Sequence, residues 1–402
     1  MDLLDRAQSL KPRLVEIRRD LHRHPELSFQ EVRTASLAAR ESEAAGFSVR
    51  TGVARTGVIA ELANGEGPTV AIRADMDALP IQEVGDASYA STVDGVMHAC
   101  GHDFHTAGLV GVSHLLAGLK DEGTLPPGRF RLLFQPSEES ADSEGKSGAM
   151  RMVEEGAMDG VDAVLGLHVG AHLPSGKVFL RQGPFFAGSD EVVVTVEGKS
   201  SHAARPHDGV DAVALASLGV VTAQQVVSRG ISPAMRGVLT LGTIKGGTAP
   251  NVIAERVVLK GTLRYFEPEV RGRIQEGVRR AFATLEAMGA RCEVQFLSGY
   301  PPVINDPTIT KWVREAATQL VGDDGFVDQE PNMEAEDFAF LAEQAPGAFL
   351  WLGAALTKPR VHHRPDFDAD EEVLPLGAAL LAGSAIHLMT RLGEQHESPS
   401  DH

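Results

Sequence analysis

Cysteine is nearly absent: Cys100 and Cys292 are the only two in 402 residues. A disulfide framework is therefore excluded, and the pattern suits a reducing compartment. Aromatic residues make up only 5%, so no stacking platform for an aryl ligand is evident. Positive charge is also scarce. Against 55 Asp plus Glu stand 37 Lys plus Arg, for a formal charge of −18, and such a surface repels nucleic acid and anionic membranes. No uninterrupted apolar run reaches the roughly 20 residues that cross a bilayer. The opening Met-Asp-Leu-Leu-Asp-Arg has neither the basic nor the apolar region of a signal peptide, so a cytoplasmic protein is expected, with no nucleic-acid or membrane partner.

What is present is an ordinary globular balance of 43% hydrophobic and 23% charged residues, in a chain longer than one core usually serves. Apolar positions at helical spacing run from Leu3 to Leu21 and stop before Pro25. Short apolar runs follow at 69–74, 130–134, 163–169 and 348–352, flanked by turn signals, and helical patterns lie between them at 106–119, 309–320 and 374–388. Such alternation predicts an α/β fold whose mostly parallel sheet is buried on both faces by helices. Residues 190–298 read differently. Longer alternating strands at 191–196 and 255–266, helix-like runs at 210–227 and 269–288, and a strand around 292–296 suggest a small α+β unit of order β-α-β-β-α-β, inserted into the larger domain. The expected division is 1–184 and 300–402 for the larger domain and 185–299 for the insert, with Gly183-Pro184 and Gly299-Tyr300-Pro301-Pro302 as turn-forming boundaries. The last eight or so residues read as a polar tail.

Chemistry concentrates in His98-Ala99-Cys100-Gly101-His102-Asp103, just ahead of a helical pattern. A thiolate and an imidazole two residues apart can reach one ion if the backbone between them is extended, and Gly101 permits close approach. Other donors follow apolar strands, where ligands of α/β sheets gather: Glu138-Glu139 after 131–134, His168 at the end of 165–169, and His362-His363 after 349–352. Adjacent carboxylates point to different sides, so one can bind metal while its neighbour acts as general base. Together Cys100, His102, Glu139, His168 and one of His362 or His363 form a mixed N, S and O set suited to Zn²⁺, Mn²⁺ or Co²⁺, enough for two ions with shared ligands.

The segments Arg18-Arg19-Asp20-Leu21-His22-Arg23-His24-Pro25-Glu26, Arg73-Ala74-Asp75-Met76-Asp77-Ala78-Leu79-Pro80, His98 to Asp103, Gln135-Pro136-Ser137-Glu138-Glu139, Ser201-His202-Ala203-Ala204 and Gly246-Gly247-Thr248-Ala249-Pro250-Asn251 closely resemble the aminoacylase family of di-metal exopeptidases. The nearest branch holds hippurate hydrolases, auxin-conjugate hydrolases and N-acyl-amino-acid amidohydrolases. The resemblance implies a phosphorylase/hydrolase-like catalytic domain carrying a ferredoxin-like lid, which also mediates dimerisation. It further implies two divalent cations on Cys100, His102, Glu139, His168 and His363, with Glu138 as general base. His363 is preferred over His362 because His363-Arg364-Pro365-Asp366-Phe367 fits the family's His-x-Pro-x-Phe spacing. His202 would stabilise the oxyanion, in its own or the partner subunit's site, while Asn251 and Arg264 would hold the substrate, Arg264 by pairing with an α-carboxylate. Asp75, Asp77 and Asp103 are candidates for orienting the ligands. The expected substrate is an N-acyl amino acid. The alternatives are a carboxypeptidase or dipeptidase on the same site, and a cysteine hydrolase using Cys100.

Overall fold

The computed structural model describes residues 2–85 and 87–397 of the chain; most of the expected polar tail, 398–402, lies outside them. The chain divides into two compact units, Met1–Phe185 with Ile304–Glu330 and Asp337–His402, and Phe186–Val303 with Pro331–Glu336. The return to the larger unit thus falls at Ile304 rather than 300. The strip Pro331–Glu336 joins the smaller unit because the Ala187 amide donates to the Glu334 carbonyl (2.8 Å) and Phe186 bridges to Asn332.

In the larger unit, α1 (Leu3–Arg23) begins where the Asp2 carboxylate caps the Leu3 amide and ends ahead of Pro25, as proline geometry requires. A second helix, α2 (Val32–Ala44), precedes an edge hairpin of β1 (Ser48–Val53) and β2 (Gly57–Asn64). Then come β3 (Thr69–Asp75), α3 (His102–Asp121), β4 (Gly128–Gln135) and β5 (Ala163–Pro174). The seven-stranded sheet runs β1-β2-β4-β3-β5, then Gly347–Ala355, then Val178–Phe179. Its four central strands are parallel, and the edge strands on both sides are antiparallel. Every residue of β3 is buried, the signature of a strand covered on both faces. Helices α1, α3 and Leu374–Glu397 pack together, and Leu14, Ile72, Val110 and Leu380 lie in the core they share with the sheet. The mixed α/β architecture with a mostly parallel central sheet is the one expected.

The smaller unit is a four-stranded antiparallel sheet ordered Gly237–Gly246, Arg256–Tyr265, Gly188–Glu197, Arg291–Ser298. In chain order this is 2-3-1-4, the ferredoxin-like arrangement. Strict alternation of buried and half-buried residues along Gly188–Glu197 turns Val192, Val194 and Val196 toward helices Ala212–Gly230 and Pro268–Ala283. The strand Gly237–Gly246, not singled out in the sequence, is an edge, and Ile244 on it is exposed. Although no uninterrupted apolar run of membrane-spanning length exists, Ala212–Gly230 and Glu371–Gln395 are by length and composition long and apolar enough to cross a membrane. The second is mostly buried in the larger unit's core, whereas Ala212–Gly230 leaves Val213, Leu218 and Val221 exposed.

Candidate metal centre

The parallel strands deliver their chemistry at one edge of the sheet. Asp75 closes β3 and pairs in register with Gln135, which closes β4, while His168 lies in β5 opposite Trp351 of Gly347–Ala355. Loops continuing from these ends bring Asp77, Glu138, Glu139 and His363 to the same place.

Donor atoms of Cys100, His102 and His168 lie within 4.8 Å of one another, as do those of Cys100, Glu139 and His363, and those of His102, Glu138 and Glu139. The five candidate ligands and the candidate base therefore converge. Cys100 Sγ stands 3.4 Å from His168 Nε2, and His363 Nε2 stands 3.1 Å from Glu139 Oε1. The route to convergence differs from the extended backbone expected. Gly101 is left-handed (φ +89°) and is the residue on which α3 starts, so the chain turns sharply between Cys100 and His102. A Cβ there would come within 2.4 Å of Val169 Cγ1, so glycine is required twice over.

Second partners fix how each imidazole presents itself. His168 Nδ1 donates to the Val169 carbonyl (2.9 Å), which leaves its Nε2 lone pair toward Cys100. His102 Nδ1 lies 3.2 Å from Asp77 Oδ1. Asp77 is the hub of the site: its two oxygens also accept the backbone amides of Glu138 and Glu139 (3.1 Å each) and the Ser28 hydroxyl (2.7 Å). Of the three aspartates suspected of orienting ligands, Asp77 does so directly. Asp75 engages His105 and Arg73, and Asp103 engages Arg18 and His22.

The doublet His362-His363 separates by environment. His362 is half-buried and its Nε2 donates to the Val169 carbonyl (2.9 Å), and the desolvation of its ring pulls its pKa down to about 3. His363, half exposed with a left-handed backbone (φ +61°), is held by its own amide on the Ala99 carbonyl and faces Glu139.

Electrostatics show what the cluster wants. Burial opposes a charged His102, yet Asp75, Asp77 and Glu139 overcome it and push the group up to about 10. Burial also raises the Cys100 thiol well above its ordinary range, and Glu139, Glu138 and Asp75 add to the shift. A concentration of carboxylates thus draws positive charge and disfavours a bare thiolate. Two atoms at its centre, His102 Nε2 and Glu139 Oε1, are buried without a hydrogen-bond partner. Buried polar atoms left without hydrogen bonds are costly, and imidazole, carboxylate and thiol, once a cation displaces their protons, together are a donor set for borderline divalent ions. The residues present fit metal.

Residues 71–387 match the peptidase family M20/M25/M40. The chain belongs to that family. Its members' chemistry is amide-bond hydrolysis, in keeping with the resemblance read from the motifs. Among its relatives are the N-acetyl-L-cysteine deacetylase of Bacillus subtilis, 40% identical over 95% of this chain and 89% of that protein, and the thermostable carboxypeptidase 2 of Saccharolobus solfataricus, 38% identical over 95% and 98%. The fold is shared with the crystal structure of a Bacillus subtilis dinuclear metal binding peptidase of the M20 family. The TM-score is 0.82 and the identity 35%, over 95% of this chain and 99% of that one.

The remaining predicted residues lie in the smaller unit. His202 and Asn251 come together there: His202 pairs with Val252 in a short antiparallel bridge, and the Ala203 amide donates to the Asn251 carbonyl (3.0 Å). The Ala204 amide donates to His202 Nδ1 (3.0 Å), so neutral His202 carries its proton on Nε2, on an exposed ring able to donate. Arg264 sits on the strand Arg256–Tyr265, partly buried, with Nη1 on the Leu263 carbonyl and its pKa lowered by burial. Among residues to which the sequence assigned no role, His105, Arg73 and Asp337 matter most. Arg73 links the Gln135 amide, Asp75 and Asp337 beneath the cluster. The repeated imidazole at His102 and His105, one helical turn apart, was the available signal.

Proposed function

We propose that this family member hydrolyses the amide bond of N-acyl amino acids, releasing the acyl group as a carboxylate together with the free amino acid. The observation that carries this reading is the meeting of Cys100, His102, Glu139, His168 and His363, with His102 Nε2 and Glu139 Oε1 buried and not hydrogen-bonded and with Glu138 alongside. Those five side chains would hold two divalent cations, with Mn²⁺, Zn²⁺ or Co²⁺ all suited to the donors. Such ions would supply Lewis acidity, lowering the pKa of a water toward neutrality and polarising the scissile carbonyl. Glu138, whose main chain is fixed by Asp77, accepts the water's proton and returns it to the departing amine. His202 is assigned to donate a hydrogen bond from Nε2 to the developing oxyanion. Asn251 and Arg264 are assigned to substrate, Arg264 to an α-carboxylate. The named deacetylase relative supports an N-acyl substrate. The carboxypeptidase relative supports a second reading, peptide C-termini cleaved by the same residues.

A cysteine nucleophile is disfavoured, since the thiol of Cys100 is raised well out of its ordinary range and nucleophilic cysteines need the opposite. The test is a panel of N-acyl amino acids and dipeptides assayed on apoprotein and after reconstitution with each metal. We expect chelation to remove activity and metal to restore it, with N-acyl amino acids as the better substrates. Activity that survives complete chelation would contradict the metal reading, and a clear preference for free dipeptides would select the second.

We further propose a homodimer joined through the smaller unit, whose edge strand Gly237–Gly246 and exposed Val213, Leu218 and Val221 offer an unpaired ladder beside an apolar helix face. Sedimentation should report twice the chain mass, and Val221→Glu should shift it toward the monomer. A wild-type monomer at micromolar concentration would end this proposal.

A further inference from the structure

His105 lies three residues beyond His102 on the first turn of α3, and its ring is almost wholly buried 4.4 Å from that of His168. It belongs to a cluster, with Asp75 and His102, that by distance alone could hold a metal. Its hydrogen bonds say otherwise. The Val169 amide can only donate, and it points at His105 Nε2 (2.9 Å), so this nitrogen is an acceptor. The ring proton therefore sits on Nδ1, 2.6 Å from Asp75 Oδ1, which accepts it. Both nitrogens are spoken for, and neither is left to bind an ion.

The position of the Val169 amide explains why a side chain is needed there. The ladder between β3 and β5 ends at Arg73 and Gly166, so Val169 lies beyond the last paired residue of β3. Its amide would otherwise be a buried donor without a partner, a costly state. Asp75 is itself anchored: Arg73 Nη1 lies 2.8 Å from its second oxygen, and the Thr106 hydroxyl donates to its carbonyl (2.9 Å).

We infer that His105 is a positioning residue that ties the end of β3, through Asp75, to the end of β5, through Val169, and thereby sets the separation of His102 and His168. The inference rests on the metal reading of the site. Its reach is specific, because His168 immediately precedes the clamped amide and His102 stands on the same helical turn as the clamp.

Side chains of different reach separate the two halves of the relay. His105→Gln places an amide near the Nε2 position and can still accept from Val169. His105→Asn reaches only the Nδ1 position, so it serves Asp75 and leaves Val169 unpaired. Metal binding to apoprotein would be followed by calorimetry with Zn²⁺. Exchange of the Val169 amide would be followed by hydrogen-deuterium measurements, and kcat and KM would be read on loaded protein. Expected for His105→Asn is one ion held roughly 10- to 100-fold more weakly than in wild type, as for other groups that orient metal ligands. Faster exchange at Val169, lowered kcat and a KM within about 2-fold should accompany it, with His105→Gln restoring most of each, a rescue that mere loss of packing would not give. If wild type binds two ions and His105→Asn binds them equally well, the inference fails alone. If wild type binds none, the metal reading falls and the inference with it. Should His105→Asn not fold, His105→Phe, which keeps the ring and loses both bonds, takes its place with the same expected losses.

Discussion

Glu138→Gln should lower kcat by about 10²- to 10⁴-fold, the range over which a positioned acid-base group contributes, while leaving metal content at the wild-type value. The substitution keeps shape and removes only the proton acceptor. The Glu138 amide remains on Asp77, and none of the proposed ligands is touched. Glu139→Gln should behave in the opposite order. Glu139 Oε1 is a buried oxygen without a hydrogen bond and lies 3.1 Å from His363 Nε2, so its loss should weaken metal binding first and activity as a consequence. Steady-state kinetics beside elemental analysis of the same samples separates the two. A Glu138→Gln enzyme with near-full turnover at normal metal occupancy would show that the base has been misassigned.

The largest effect on stability is expected at Arg18, which is fully buried on α1. Its guanidinium donates from Nε to Asp103 (2.9 Å), from Nη2 to Asp368 (3.0 Å) and from Nη1 to Glu371 (3.1 Å). It also lies 4.6 Å from the Tyr89 ring centroid and 4.4 Å from that of Phe104. Arg18→Met preserves much of the apolar contact but strands buried carboxylates, a loss of about 3–5 kcal/mol in other broken buried pairs. Thermal melting measures it, and a change below about 1 kcal/mol would contradict the account. The pH dependence has a definite sign. Burial alone would raise Asp103, but Arg18 and then His22 hold its carboxyl well below the usual range. A carboxyl lowered on folding contributes stability that is fully present above its unfolded value near 4 and is lost as pH falls below it. The acid limb of wild-type stability should therefore be steep below about pH 4, and shallower in Arg18→Met.

Much of the larger unit was legible because its strands are buried on both faces. Short, mostly apolar runs such as 69–74 and 163–169, bounded by turn signals, match strands of the sheet's interior, and the helix start after Gly101 and the stop before Pro25 follow from backbone chemistry. Strand β1 and the strand Gly237–Gly246 escaped notice for the converse reason. Ser48–Val53 is exposed at four of six positions and Gly237–Gly246 at seven of ten, so neither carries a strong apolar signal. Within the site, residue types and motif spacing singled out the donors. What sequence could not give was partnership. That Asp77 would collect two consecutive amides, and that His105 would end with both nitrogens engaged while His102 kept one open, depends on residues 25 or more positions apart meeting at one end of the sheet. The strip Pro331–Glu336 joined the smaller unit for the same reason, through main-chain bonds that leave no trace in side-chain pattern.

The central claim is most directly tested by anomalous diffraction from crystals of the full chain reconstituted with Zn²⁺ or Mn²⁺. Two peaks roughly 3.5–4 Å apart are expected, each within roughly 2.0–2.3 Å of donors drawn from Cys100, His102, Glu139, His168 and His363. A fully reconstituted crystal with no peak in reach of those atoms, or with its ions elsewhere in the chain, would contradict the account.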